Sequence, residues 1–190
     1  MKLDGVLPFA RILLEKAVME GGAAVDATMG NGHDTLFLTL LTGENGMVFA
    51  FDIQAEALEA TKRKLAENGT GSRATLFHAG HERAAELIPS QYHGQLQGAI
   101  FNLGYLPGSD KSIVTKPATT ISAIEQLLGM MAPGGIIVLV IYHGHEGGAE
   151  ERDSLLSFVH GLDQKEAHVL QYEFINQKNN PPFIIAIEKR

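Results

Sequence analysis

Short apolar runs alternate with stretches of helical period along this chain, and that alternation leaves few folds open. Parallel strands need crossovers long enough to hold a helix, so repeated strand–helix units build a mostly parallel sheet with helices on both faces. Pro8 to Glu20 reads as a helix, with Phe9, Ile12, Leu13 and Ala17 near a 3.6-residue period and Gly21-Gly22 ending it. Ala23 to Ala27 is a strand, Asp34 to Leu41 a helix, Met47 to Phe51 a second strand and Ala55 to Asn68 an amphipathic helix. Ala74 to His78 and Gly98 to Asn102 are the next strands, with a short helix from His81 to Ile88 between them. Thr115 to Met131 is mostly helix, with Pro117 in the first turn, where proline is tolerated. Pro133-Gly134-Gly135 breaks it before a fifth strand, Ile136 to Tyr142, and a helix from Ala149 to His160. Ala167 to Asn176 and Phe183 to Glu188 follow directly on one another across Lys178-Asn179-Asn180-Pro181-Pro182 and so pair as a hairpin. The sum is an α/β fold: a seven-stranded, mostly parallel sheet whose last strand is antiparallel, in a single domain over residues 1–190.

The 190 residues suffice for a core without disulfides or a structural metal, since a domain of this size buries roughly 70% of its unfolded surface. The chain has no cysteine, which excludes disulfides, thiolate metal sites and a cysteine nucleophile. Met1-Lys2-Leu3-Asp4-Gly5 lacks the charged and apolar regions of a signal peptide, and no apolar run reaches the ~18 residues that cross a bilayer. A cytoplasmic protein without membrane contact is expected. The net charge of −7 argues against a large nucleic-acid footprint, although Arg11, Lys16, Lys111, Lys116, Lys178, Lys189 and Arg190 are candidates for a local basic patch.

Val25-Asp26-Ala27-Thr28-Met29-Gly30-Asn31-Gly32-His33-Asp34-Thr35 lies between the first strand and the next helix. Open α/β sheets bind ligands beyond the carboxyl ends of their strands, where this loop falls. Gly30 and Gly32 permit a tight turn and close approach of backbone to ligand. Asp26, at the strand end, is placed to hold the ammonium group of a methionine moiety. Asp52 ends the second strand, twenty residues after Gly32, and is placed to accept hydrogen bonds from both hydroxyls of a ribose. Ile53 and Gln54 then flank the base. Two other readings fit the same residues. One is an ordinary strand–turn–helix connection. The other is a nicotinamide dinucleotide site, because Gly30-x-Gly32-x-x-Thr35 is a dinucleotide fingerprint without its third glycine. Asp26 opposes the latter: a carboxylate there repels a pyrophosphate and suits a zwitterionic amino acid.

Asp26-x-Thr28-x-Gly30-x-Gly32 resembles motif I of the class I methyltransferases, with Thr28 where a glycine often sits. Asp52 matches their second-strand acid, and Pro133-Gly134-Gly135 the turn before their fifth strand. The resemblance implies a Rossmann-like class I methyltransferase fold and S-adenosylmethionine as cofactor. Amine-directed methyltransferases carry an Asn/Asp-Pro-Pro-Tyr type motif after the fourth strand, where this chain has Asn102-Leu103-Gly104-Tyr105. Asn102 and Tyr105 keep the outer positions, while Leu103 and Gly104 replace the prolines. The Asn side-chain oxygen accepts from an amine and aims its lone pair at the methyl group. Alternatively, Asn102 only caps a turn. The available bases are histidines. His78 and His81 follow the third strand, where adenine lies in such folds, and His143 and His145 follow the fifth, on the substrate side. A lone histidine is more often structural, and the His143/His145 pair lacks a spaced third ligand, so no metal is expected.

Taken together, Asp26 to Thr35, Asn102 to Gly108, Tyr142-His143-Gly144-His145 and Asn176…Asn179-Asn180-Pro181-Pro182 resemble one small bacterial family, the YtqB-like family named for rRNA methylation. Its members are known as tRNA 5-(aminomethyl)-2-thiouridine methyltransferases. The resemblance implies a homodimer that methylates the aminomethyl nitrogen of the wobble uridine, with the anticodon region of tRNA as partner. It implies that Asp26, Thr28, Gly30, Asn31, Gly32, His33, Asp34, Thr35, Asp52, Gln54 and His81 hold the cofactor. Asn102, Leu103 and Gly104 then lie at its methyl end, and Tyr105, Tyr142, His143 and His145 face the substrate. Asn102, Tyr105, Tyr142 and His143 are the catalytic candidates. An rRNA or small-molecule methyltransferase on the same scaffold, or a non-catalytic cofactor-binding module, are the competing readings.

Overall fold

A computed structural model describes residues 2–104, 114–145 and 147–190. Its strands are β1 (Ala23–Asp26), β2 (Met47–Asp52), β3 (Ala74–His78), β4 (Leu96–Leu103), β5 (Met131–Ile141), β6 (Ala167–Tyr172) and β7 (Phe183–Lys189). They form a seven-stranded sheet in the order β3-β2-β1-β4-β5-β7-β6. The pairings from β3 through β5 are parallel, and β7 runs antiparallel to both β5 and β6. Chain order reverses between β1 and β4, so the crevice at their carboxyl ends is the switch point where such sheets take ligands.

Strand side chains alternate between two cores, as a pleated sheet requires. Val25, Phe101, Leu139 and Ile185 face one, with Ile124 and Leu127 of α5 (Pro117–Met130) and Leu155 and Val159 of α6 (Gly148–His160). Ala24, Ile100, Val138 and Ile184 face the other, with Leu13 and Leu14 of α1 (Val6–Ala17) and Leu38 of α2 (His33–Thr42). Phe49, Phe51 and Phe101 are fully buried, each contributing roughly 1.5–3 kcal/mol by leaving water. All four residues of β1 are buried, as an inner strand of a sheet covered on both faces demands.

Several boundaries differ from the sequence pattern for physical reasons. The expected helix His81–Ile88 splits into a 3-10 turn (His81–Arg83) and one turn of helix, α4 (Ala84–Leu87), because His81 folds back onto the Ala27 carbonyl. Helix α5 starts at Pro117 rather than Thr115, because Thr115 is bonded to Gly104. Pro133-Gly134-Gly135 loops out within β5 as a bulge, the register stepping from Leu96↔Met131 to Gly98↔Ile136. Strand β6 ends at Tyr172 instead of Asn176, where the Tyr172 ring stacks on Phe9 at 4.0 Å and its hydroxyl donates to the Asp4 carbonyl. Helix α3 (Ala55–Glu67) keeps its expected span to within a residue.

Candidate active site

The loop after β1 is tied to three strands. Ala27 N–H donates to the Ile100 carbonyl of β4, and Met29 N–H to the Phe51 carbonyl of β2, each at 2.9 Å. Thr28 Oγ1 accepts the Asn102 N–H at 2.7 Å, crossing the switch point from β1 to β4. Asp52 accepts from Gly30 N–H on one oxygen and from Gln54 N–H on the other, both at 3.0 Å. Gly32 closes the turn at φ +74° and precedes α2; a Cβ there would lie 2.8 Å from the Thr61 Cα. That approach lets Thr61 Oγ1 donate to the Gly30 carbonyl at 3.1 Å.

The loop forms one wall of a cleft of about 850 Å³ at the carboxyl ends of β1, β2, β4 and β5. Asp52, Ile53, Gln54 and Ala79 to Glu82 line one end, and Asn102, Leu103, Gly104, Tyr142, His145 and Asn180 the other. Thr28, Gly30, Asn31, His33 and Asp34 lie between them. His81 is 8% exposed and buried enough to be held neutral, its pKa lowered chiefly by desolvation. Its Nδ1 lies 3.0 Å from the Ala27 carbonyl, which can only accept, so the proton sits on Nδ1. Nε2 is then a buried acceptor with no donor among the described residues.

At the other end the Asn102 amide nitrogen donates to Asp34 Oδ2 at 2.7 Å, and Asp34 Oδ1 pairs with Arg11 at 3.4 Å. This fixes the amide's orientation, leaving Asn102 Oδ1 as its acceptor. The Tyr142 hydroxyl titrates above the usual phenol range, first because of burial and then because of Asp34.

Three predicted cofactor residues stand behind the cleft wall rather than in it. Asp26 is fully buried and accepts from Thr35 Oγ1 at 2.6 Å and Thr28 N–H at 3.2 Å. Burial, reinforced by Asp34, pushes its pKa up to about 7. Thr35 and Gly32 act from the same inner layer. Asp26 therefore braces the loop from within, through Thr35 and Thr28. His143, expected on the substrate face, is absent from the cleft lining; its ring meets Phe183 edge-on at 5.6 Å. Tyr105 lies outside the described residues.

The donor set fits S-adenosylmethionine. An acid at the end of β2 retains lone pairs for ribose hydroxyls, and the orphaned His81 Nε2 calls for a hydrogen-bond donor from a bound molecule. Among the described residues, no three His, Cys, Asp or Glu side chains gather as metal ligands, and no helix is long and apolar enough to cross a membrane.

Sequence reasoning missed several contributors. Leu7 and Arg11 of α1 reach the cleft from outside the quoted motifs, Arg11 being a basic-patch candidate by sequence. Thr115, Lys116 and Thr119 border it from the start of α5, and Asn180, at φ +51°, from the turn before β7. Glu151 is buried beside this end, accepting from Thr115 and Thr120. Its signal was present: an acid in register with the core residues Leu155 and Val159.

Comparison with known proteins agrees with this geometry. Residues 48–188 match the family described as "Putative rRNA methylase". The chloroplastic tRNA (mnm(5)s(2)U34)-methyltransferase of Arabidopsis thaliana is 34% identical over 95% of this chain and 68% of its own length. A "putative rRNA-methylase" structure from Clostridium thermocellum superposes with a TM-score of 0.96 at 42% identity, covering all of both chains. A "putative methyltransferase" from Streptococcus mutans, solved with SAH, superposes at 0.90 with 37% identity over 99% of each chain. With its switch-point cleft, its β2 acid and this extent of match, the chain belongs to the rRNA methylase family of S-adenosylmethionine-dependent methyltransferases.

Proposed function

We propose that this methyltransferase acts on the aminomethyl nitrogen of 5-aminomethyl-2-thiouridine at the tRNA wobble position. One observation carries the reading: the pinned Asn102 amide, whose Oδ1 is an acceptor at the cleft end opposite the nucleoside residues. The Leu103 carbonyl already accepts the Tyr142 N–H and the Gly104 carbonyl the Thr115 N–H, each at 3.1 Å. Asn102 Oδ1 is therefore the acceptor of this strand end suited to an amine N–H. The substrate named for the Arabidopsis relative is the same nucleoside class.

S-adenosylmethionine supplies an electrophilic methyl group on a sulfonium. The protein's part is to bind and aim. Asp52 and His81 anchor the nucleoside end, and the loop from Thr28 to Asp34 fixes the middle. Asn102 Oδ1 accepts one amine hydrogen, which turns the nitrogen lone pair along the line of attack. Positioning of this kind supplies up to roughly 7–11 kcal/mol of a barrier. The amine must be neutral to attack, and His145, at the same end, is the imidazole placed to take its proton. In this reading the enzyme works in the cytoplasm as a homodimer, the two subunits sharing the anticodon region between surfaces near the catalytic loops.

The test is mass spectrometry of nucleosides from a strain lacking the gene. Loss of the terminal methyl on one wobble nucleoside, with accumulation of its aminomethyl precursor, is expected. An unchanged tRNA profile with a methyl missing from rRNA moves the substrate to the ribosome.

A further inference from the structure

Glu151 does not line the cleft, yet it is a carboxylate with 2% of its surface exposed. It projects from the first turn of α6 on the face that also carries Leu155 and Val159. An acid in that place costs desolvation that an apolar residue would avoid, and burial does raise its pKa. Both oxygens accept from hydroxyls, one from Thr115 Oγ1 at 2.7 Å and the other from Thr120 Oγ1 at 3.2 Å.

Thr115 links this acid to the cleft. Its hydroxyl has one proton, which goes to Glu151, so its lone pair receives the Gly104 N–H at 3.1 Å. Its own N–H donates to the Gly104 carbonyl at 3.1 Å. One side chain and one amide thus hold both polar groups of the Gly104 peptide, two residues beyond Asn102. The same turn of α6 supports His145: a Cβ on Gly148 would lie 2.9 Å from His145 Nδ1 and Cε1. Gly148 and Glu151 are three residues apart, on one helix face. The Gly104 Cβ position is itself 3.8 Å from His145 Cε1. Strand end, Thr115 and imidazole therefore rest on one support whose polar centre is Glu151.

We propose that Glu151 is a positioning residue for methyl transfer: acting through the Thr115 hydroxyl, it fixes the Gly104 peptide and the acceptor end of the cleft. The proposal rests on the transferase reading above. A charge-assisted O–H···O bond is stronger than a neutral one, and the polarised hydroxyl becomes a better acceptor for the Gly104 N–H. The nucleoside end of the cleft, at Asp52 and His81, lies away from Gly104, so loosening the Gly104 peptide is expected to leave most of the cofactor affinity in place.

The experiment compares Glu151→Gln, Thr115→Val, Thr115→Ser and the Glu151→Gln/Thr115→Val double variant. Thermal melting, SAH affinity, Gly104 amide exchange, and kcat and KM on tRNA carrying the aminomethyl nucleoside are measured for each. The expected result is a tenfold or greater fall in kcat for Glu151→Gln and for Thr115→Val, with SAH affinity within twofold of wild type. Thr115→Ser restores kcat, the double variant falls no further than either single one, and Gly104 amide protection drops wherever kcat does. Retention of kcat and Gly104 protection in both single variants overturns the proposal. So do losses that multiply in the double variant, or losses matched by SAH affinity. Failure of the wild type to methylate that tRNA rejects the substrate reading instead, and Gly104 protection then decides the Glu151–Thr115 link by itself.

Discussion

Asp26 is marked by the sequence in type and place, while its partners become visible only in the folded chain. The sequence marks it as the acid before a glycine turn, and its place at the end of β1 is as expected. Its carboxylate is nevertheless spent on Thr35 and Thr28, inside the wall. A strand-end residue can point into the cleft or into the layer behind it, and spacing along the chain does not separate the two. A consequence for stability follows. The folded pKa of about 7 lies above the ordinary carboxylate value of 3.8, so between these limits the native state binds more protons than the unfolded one. Stability from this group is fully present below about pH 4 and is lost as pH rises through about 7. Replacing it by Asn removes that dependence. The Tm of Asp26→Asn, measured against wild type without cofactor from pH 5 to pH 8, should therefore shift steadily in favour of the variant. A constant difference across the range would show that the acid does not titrate there.

Among elements, the loop between β1 and α2 carries the strongest constraint. Gly32 combines φ +74° with a Cβ position 2.8 Å from the Thr61 Cα, so alanine there meets both backbone strain and a backbone atom that cannot swing away. Gly69 has a similar φ of +67°, but nothing lies within 4 Å. Gly69→Ala should cost about 1–2 kcal/mol of stability and leave cofactor affinity unchanged. Gly32→Ala should cost more, break the Thr61–Gly30 bond and weaken SAH binding at least tenfold in calorimetry. Equal losses of affinity in the two variants would sever the loop's tight turn from cofactor binding. The same comparison explains what periodicity could and could not reveal. Strands and helices in the middle of the chain follow from apolar period and glycine stops, because burial on fixed faces imposes those patterns. The departures occur where side chains far apart in sequence capture an end: His81 on Ala27, Thr115 on Gly104, Tyr172 on Asp4. Those bonds close only in three dimensions. The places of Arg11, Asn180 and Glu151 were illegible for the same reason: residue type and motif do not say which end of the cleft a distant element reaches.

For the molecule as a whole, charge separates a tRNA substrate from a small metabolite. The chain carries a net charge of −7, so a polyanion can be held only by cations gathered locally. Among the described residues around the cleft these are Arg11 and Lys116 in its lining, with Arg63 and Lys64 in a smaller cavity that shares Asn31 and His33 with it. Arg11 is partly neutralised by Asp34, and Lys64 lies against the His33 ring, so these described cations engage about four phosphates at most. Counterion release along single-stranded RNA then sets a slope of roughly −3 for log kcat/KM against log salt concentration. Lys116→Gln should make that slope shallower by about 1 and weaken all tRNA substrates alike, since a phosphate contact carries no base identity. SAH affinity should be nearly indifferent to salt, because SAH carries no net charge and its binding releases no condensed counterions. A flat salt profile for the methyl acceptor would remove the polyanion and point to a small amine. A slope approaching twice the value would mean that cations of a second subunit join the same RNA, the result a shared anticodon surface requires.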